Sequence, residues 1–236
     1  ILPEDARLHL DVAYDVESPG QIASLSRRIE TILISTSSPL FRALAVSSIQ
    51  HLLTAFQSEN GPATVILKEN RGGSRLISGD GHIEELPAQL GRTVNSVGVG
   101  DVFAAAYVCH LSRGEIEAGW RATYASAAYS QTTYPDLFRT YVQRDTKLDL
   151  AEMRGLGGVS VPWETRATYP IYLAAPDFSI GDRTAIDEAI KSLTYHNFVV
   201  RRPIVENGEL KRGAPYAELL QAYNADRDLI AQCKLI

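Results

Sequence analysis

In the first 145 residues, the spacing of apolar positions switches repeatedly between the two-residue period of a strand and the 3.6-residue period of a helix. Strand-like runs lie at residues 7–13, 31–35 and 63–68. Helical spacing lies between them, over Gln21–Glu30 and from Leu40 to about Phe56. Strands and helices that alternate in this way predict an α/β fold, in which a largely parallel sheet carries helices on both faces.

The next part of the same region predicts a hairpin and two more helices. Residues 74–78 and 82–86 have strand character and flank a turn at Gly79–Gly81. Helices are then predicted from about Glu115 to Ser130 and from Pro135 to Val142.

Residues 146–168 lose this periodicity and collect glycine and proline, which predicts a linker. After it the alternation begins again. Strand-like runs stand at 169–176 and 198–201, and helical runs end near Leu193 and cover Ala214 to about Ala231. Lys234 begins another strand-like run. The predicted organisation is therefore a first domain over 1–145, a linker, and a doubly wound, flavodoxin-like domain over 169–236 that is incomplete at its C-terminus.

The composition and charge of the chain limit the classes of protein to which it can belong. The 236 residues are 45% hydrophobic and 22% charged, as in a soluble globular protein, and the net charge of -5 argues against nucleic-acid binding. No apolar run reaches the roughly 20 residues of a membrane span. Two distant cysteines favour a reducing compartment, so we expect a cytoplasmic protein. The five histidines lack the spacing of metal ligands, and we expect no metal site built from protein side chains.

The stretch from Asn95 to Ala106 carries the clearest chemistry. It starts as a polar turn containing Gly98 and Gly100 and continues as a helix of small residues. The first N–H groups of such a helix point into the turn, where they and the helix dipole favour a bound anion such as phosphate. Asp101 stands in the first turn, where it is either a helix cap or a general base.

These residues, Asn-Ser-Val-Gly-Val-Gly-Asp followed by Val-Phe, resemble the Asp-Thr-x-Gly-Ala-Gly-Asp and x-Phe signature of the ribokinase-like (PfkB) sugar and nucleoside kinases. The sequence departs from the signature at Asn95 and Val99. The resemblance implies that Asp101 takes a proton from a substrate hydroxyl, and that ATP and Mg²⁺ are the cofactors. The residues that it implies for binding the ATP phosphates are Gly98, Val99, Gly100, Ser96 and Asn95.

The order of elements over residues 1–145 also resembles the C-terminal, ATP-side half of that family. The run from Leu67 to Gly73 takes the place of the family's Leu-Gly-x-x-Gly loop, with Lys68 instead of the first glycine. An ordinary turn between strands explains Gly72 and Gly73 equally well. The family's N-terminal half has no counterpart before Ile1, so the resemblance covers about half of a kinase.

The second domain resembles the nucleoside 2-deoxyribosyltransferases. Ile171-Tyr-Leu-Ala-Ala-Pro176 is similar to their Tyr-Leu-Ala-Gly-Pro segment, and Tyr223-Asn-Ala-Asp226 to their Tyr-Asn-x-Asp helix. The resemblance implies that Tyr172 helps to place a catalytic carboxylate and that Asp226 binds the base, with Pro176 and Phe178 on the rim of the pocket. It also implies a glutamate nucleophile beyond Ile236 and no cofactor.

Other interpretations of these two residues stay open. Tyr172 on a buried strand is equally consistent with a core residue whose hydroxyl is satisfied. Asp226 is equally consistent with a solvated helix residue paired with Arg227 or Lys234.

Both resemblances concern pentoses or nucleosides, and we expect a transferase of nucleoside salvage or nucleotide-pool chemistry that combines a phosphotransferase-like region with a pentosyltransferase-like one. One alternative is a plain sugar or nucleoside kinase with an accessory domain. Another is a catalytically degenerate protein that senses a nucleotide. The expected partners are a nucleoside, nucleotide or pentose and a second copy of the chain, as a homo-oligomer, with neither nucleic acid nor membrane.

Overall fold

The computed structural model describes residues 6–12, 14–23, 29–44, 48–56, 63–175, 180–210 and 213–235. The fold is mixed α/β, as predicted, with sheets flanked by helices. The chain divides into two compact units, Ile1–Pro162 (unit 1) and Trp163–Ile236 (unit 2). This division falls inside the stretch 146–168. The functional boundaries at 145 and 169 stay a prediction.

Unit 1 contains a five-stranded sheet whose strands follow one another in chain order. Its strands are β1 (Leu8–Val12), β2 (Ile29–Ser35), β3 (Thr64–Lys68), β4 (Ser74–Ser78) and β5 (Ile83–Leu86). The first three are parallel, and β4 and β5 add to them as the predicted antiparallel hairpin. The middle of β2 is fully buried because both faces of a parallel sheet are covered.

Seven helices belong to the described part of unit 1: α1 (Pro19–Ala23), α2 (Pro39–Ala43), α3 (Ile49–Phe56), α4 (Val99–His110), α5 (Glu115–Ser130), α6 (Pro135–Asp145) and α7 (Leu150–Leu156). The core joins strand residues such as Leu76 and Leu86 to Phe103 of α4 and Trp120 of α5. Helix α5 lies very close to the hairpin, since a Cβ on Gly119 would stand 2.8 Å from Leu86 Cδ1. Glycine at this position therefore sets the distance between helix and sheet.

Two of the predicted helices are wrong in extent. The helix predicted over Gln21–Glu30 overlaps β2, because Ile29 pairs with Leu8 of β1 and is buried in the sheet. The single helix predicted from Leu40 to Phe56 is divided into α2 and α3. The Ser48 hydroxyl accepts the His51 N–H at 3.4 Å, which is the geometry of a new helix start.

The stretch predicted as a linker also contains regular structure. Helix α7 begins with a capping box in which Asp149 accepts the Glu152 N–H and Glu152 accepts the Asp149 N–H, both at 2.8 Å. A 3₁₀ segment, Trp163–Thr168, follows it in unit 2. Helix α7 was not predicted because its seven residues include a glycine and span less than two helical turns, which is too short to show a clear apolar periodicity.

Unit 2 has the predicted alternation with shorter strands. Strands β6 (Ile171–Tyr172) and β7 (Val200–Arg201) are parallel, and Leu235 makes a further parallel bridge with Ile171. Its helices are α8 (Ile180–Tyr195), α9 (Pro203–Glu206) and α10 (Tyr216–Gln232). In the described parts of both units, no helix combines the length and the apolar character that crossing a membrane requires.

Candidate functional site

The start of α4 is an open helix terminus. Gly98 is the residue before the helix, with φ 80° and ψ 0°, and no described side chain caps the helix there. The first helical hydrogen bond runs from the Val102 N–H to the Gly98 carbonyl at 3.0 Å. The N–H groups of the three preceding residues, Val99, Gly100 and Asp101, are therefore available to an external acceptor.

Glycine is required at position 98 for two reasons. The left-handed φ is costly for a residue with a side chain. A Cβ at this position would also stand 3.2 Å from the hydroxyl of Tyr129, which lies on α5. The turn is thus formed by a backbone that only glycine adopts easily.

The residues before Gly98 are attached to the end of α5. The N–H groups of Val94 and Asn95 both donate to the Ser130 carbonyl, at 2.8 and 3.0 Å. The Asn95 side-chain oxygen accepts the Val97 N–H at 3.2 Å, while Ser96 is exposed. The phosphate-site residues predicted from sequence are neighbours in the chain, and the structure gives Asn95 a role in shaping the turn that they form.

Asp101 is exposed on the first turn of α4. Its carboxylate makes no hydrogen bond or ion pair with any residue in the described part of the chain. The position before the helix belongs to Gly98, so the structure gives no capping bond to Asp101. This leaves its carboxylate available to a ligand, which is the arrangement that a general base requires.

A lysine that sequence reasoning did not assign to the site lies beside this terminus. Lys68 ends β3, and its Nζ stands 3.5 Å from the position that a Cβ on Gly100 would take. The same ammonium group donates to both carboxylate oxygens of Asp11 on β1, each at 2.7 Å. The Lys68 side chain is 15% exposed and that of Asp11 29%.

The end of β2 adds polar groups to the same edge of the sheet. The hydroxyls of Ser35 and Ser37 are 2.7 Å apart, and the Thr36 N–H donates to the Lys68 carbonyl at 3.0 Å. Asn70 donates from its side-chain amide to the Thr36 hydroxyl at 3.2 Å. The carboxyl ends of parallel strands are the usual place of ligand sites in α/β sheets.

The loop that follows Lys68 contains two residues with left-handed φ angles. Lys68 itself is still in β3, and Asn70 has φ 57°. Gly73, three residues later, has φ 91°. Asparagine tolerates this conformation better than most residues do.

The donors at this edge suit phosphate better than a protein-held metal ion. In the described residues, no group of three or more His, Cys, Asp or Glu side chains is arranged to hold a metal. The Asp11 carboxylate, which would be a candidate ligand, already has the Lys68 ammonium on both oxygens. A divalent cation bound to Asp11 would be repelled by the nearby ammonium group of Lys68.

In unit 2, the structure describes two of the four predicted nucleoside-site residues. Tyr172 is buried at the end of β6, and Asp226 lies on α10. Burial raises the pKa of the Tyr172 hydroxyl, and the nearby negative charge of Asp226 raises that pKa further. Asp226 accepts a 2.6 Å hydrogen bond from Asn207, and Arg227 pairs with Asp228. Among the described residues, Asp226 therefore pairs with neither Arg227 nor Lys234, the two partners considered for a solvated Asp226. The predicted rim residues Pro176 and Phe178 lie outside the described residues.

No protein-family model matches this chain, and no curated protein matches it either.

The solved structures that resemble it in part include three kinases. The aminoimidazole riboside kinase from Salmonella enterica, complexed with aminoimidazole riboside and an ATP analog, is 22% identical with a TM-score of 0.45, over 58% of this chain and 52% of that chain. The Arabidopsis thaliana ribokinase complexed with ribose and ATP is 19% identical with a TM-score of 0.47, over 61% and 48%. The Giardia lamblia ribokinase is 17% identical with a TM-score of 0.48, over 60% and 50%. The chain spans about half the length of these ribokinase-family structures.

Proposed function

We propose that unit 1 binds the phosphates of ATP at the start of α4 and transfers a phosphoryl group to a hydroxyl of a pentose or nucleoside. The observation that carries this proposal is the open helix terminus of Val99, Gly100 and Asp101, with an unengaged Asp101 carboxylate in its first turn. The substrate class and ATP rest on the resemblance of Asn95–Phe103 to the ribokinase-like signature.

In the proposed reaction, the substrate hydroxyl oxygen attacks the terminal phosphorus of ATP, the bond from that phosphorus to the bridging oxygen breaks, and ADP leaves. Asp101 accepts the hydroxyl proton. The N–H groups at the start of α4 hold the charge on the transferred group. Mg²⁺ would arrive bound to the nucleotide phosphates, since such ions need few protein ligands.

Substitution of Gly100 by valine tests the anion site. We expect Gly100→Val to weaken ATP binding at least tenfold, roughly 1.4 kcal/mol, because the side chain would fill the space between the helix terminus and Lys68 Nζ. Isothermal titration with ATP and Mg²⁺ measures the change.

Gly155→Val is the matched control, because Gly155 is a glycine of α7 whose Cβ would meet nothing within 4 Å. It should bind ATP as the unmodified chain does. Equal affinity in the Gly100 and Gly155 variants would contradict an anion site at α4. ATP binding without phosphorylation of any pentose or nucleoside would favour the nucleotide-sensing alternative.

We further propose that unit 2 binds a nucleoside, because its segments 171–176 and 223–226 resemble those of the nucleoside 2-deoxyribosyltransferases, with Tyr172 at the carboxyl end of β6 and Asp226 on α10. Residues 169–236 contain no Gly-x-x-x-Glu-x-Gly segment, which the resemblance requires for the nucleophile. The property to test in this chain is therefore the binding of a nucleoside.

Asp226→Asn removes the carboxylate charge and Tyr172→Phe removes the hydroxyl, so each should weaken nucleoside binding about tenfold. Saturation-transfer NMR with deoxyadenosine and deoxyuridine measures it. Tyr216→Phe, at a tyrosine of α10 that is 78% exposed, is the control and should change nothing. Unchanged binding in both site variants would remove the second proposal.

A further inference from the structure

We propose that Lys68 supplies the side-chain charge that binds the phosphate at the start of α4, and that Asp11 is its partner until the phosphate arrives. This inference rests on the proposed function of unit 1 and adds a residue to that site. The motif places all of the phosphate contacts on the turn before α4. Lys68 adds a positively charged side chain from β3 to those contacts.

The position of Lys68 supports this role. Its Nζ stands 3.5 Å from where a Cβ of Gly100 would be, so the ammonium group lies next to the open helix terminus. An ammonium has three N–H donors. The hydrogen bonds that the structure gives to Lys68 Nζ among the described residues are those to the two Asp11 oxygens. At least one donor is left for an anion.

The ion pair explains how the lysine is held before a ligand binds. The side chains of Lys68 and Asp11 are 15% and 29% exposed, which limits the water available to solvate either charge. An unpaired ammonium with so little solvent would be costly. Asp11 offsets that cost, and because it is an anion it also competes with phosphate for the same ammonium group.

Because Asp11 competes with phosphate for Lys68, substitutions of the two residues are expected to affect phosphate affinity differently. Lys68→Met removes the positive charge and should weaken binding of ATP and of inorganic phosphate by roughly 10-fold to 100-fold, as expected for the loss of a charged hydrogen bond. Asp11→Asn keeps the shape and one acceptor oxygen but removes the competing negative charge. It should bind phosphate as tightly as the unmodified chain, or more tightly.

A purely structural ion pair predicts a different result. Lys68→Met and Asp11→Asn break the same pair, so a structural role would make both variants less stable and would weaken phosphate binding in both. Weaker binding in both variants, or unchanged binding in Lys68→Met, would overturn the proposal. Thermal unfolding of each variant is recorded beside the titrations.

Lys68→Arg covers the case in which the methionine variant does not fold. It keeps the charge, and binding should stay within about tenfold of the unmodified chain, with a similar dependence on salt concentration. A folded Lys68→Arg protein that binds no phosphate, while the unmodified chain does, would also contradict the proposal.

Different results would exclude the ATP site of unit 1 and the role of Lys68 in that site. If the unmodified chain binds ATP and Gly100→Val does not, but Lys68→Met binds as tightly as before, the proposed function stands and the role of Lys68 is wrong. If the unmodified chain binds neither ATP nor phosphate, the proposed function fails and the role of Lys68 fails with it.

Discussion

Replacing Asp101 with asparagine is expected to slow phosphoryl transfer by about 100-fold to 10,000-fold, the usual effect of losing a general base. Asparagine has nearly the same shape, but its amide cannot accept the proton of a substrate hydroxyl. ATP binding should change little, because the backbone N–H groups and Lys68 stay in place. A coupled assay of ADP production with a panel of pentoses and nucleosides measures the rate.

Stability separates a catalytic Asp101 from a structural one. The Asp101 carboxylate makes no hydrogen bond within the described residues, so its loss should cost only the helix-dipole contribution, about 0.3–1 kcal/mol. Asp136→Asn is the matched control, since Asp136 is the acidic residue in the first turn of α6. It should leave the rate unchanged. An Asp101→Asn protein that transfers phosphate as fast as the unmodified chain would show that Asp101 is not the base.

Replacing Glu69 with alanine is expected to destabilise unit 1 by about 3–5 kcal/mol, the usual cost of removing one partner of a buried ion pair. Arg75 donates to the two Glu69 carboxylate oxygens at 2.9 and 2.7 Å. The two side chains are only 6% and 1% exposed. Without Glu69, the Arg75 guanidinium on β4 would remain buried and would lose its two hydrogen bonds to this carboxylate.

Urea unfolding measures this change when the signal comes from unit 1. Trp120 lies in the core of unit 1 and Trp163 in unit 2, so Trp120 fluorescence in a Trp163→Phe background reports unit 1. The control is Arg139→Ala, which breaks the exposed Arg139–Asp136 pair on α6 and should cost no more than about 1 kcal/mol. Equal effects of Glu69→Ala and Arg139→Ala would contradict the expected cost of burial.

Local patterns in the sequence predicted much of unit 1 correctly. The hairpin around Gly79–Gly81 and the helix over Glu115–Ser130 both appear as expected. The helix start after Gly98 was also predicted, because the two glycines and the small residues that follow are a local signal. Each of these features depends on residues that are close together in the chain.

Patterns failed where pairing between distant segments decided the result. Ile22, Leu25 and Ile29 have helical spacing, yet Ile29 begins β2 because it can pair with Leu8 of β1. Hydrogen bonds and burial in a parallel sheet outweigh a weak local preference for helix. The spacing of apolar residues shows the local preference for helix or strand, but it does not show which strand a segment will pair with.

The sequence by itself determined the turn before α4, since the Gly98–Asp101 residues specify an open helix terminus wherever the helix lies. The tertiary structure alone decided which side chains surround it. Lys68 and Asp11 are 57 residues apart, and they meet because β1 and β3 are the two parallel neighbours of β2 in the sheet. Parallel pairing places the carboxyl ends of all three strands at one edge, and their register puts the lysine beside Gly100. Register is set by the packing of the whole unit, so the spacing of residues along the chain could not reveal it.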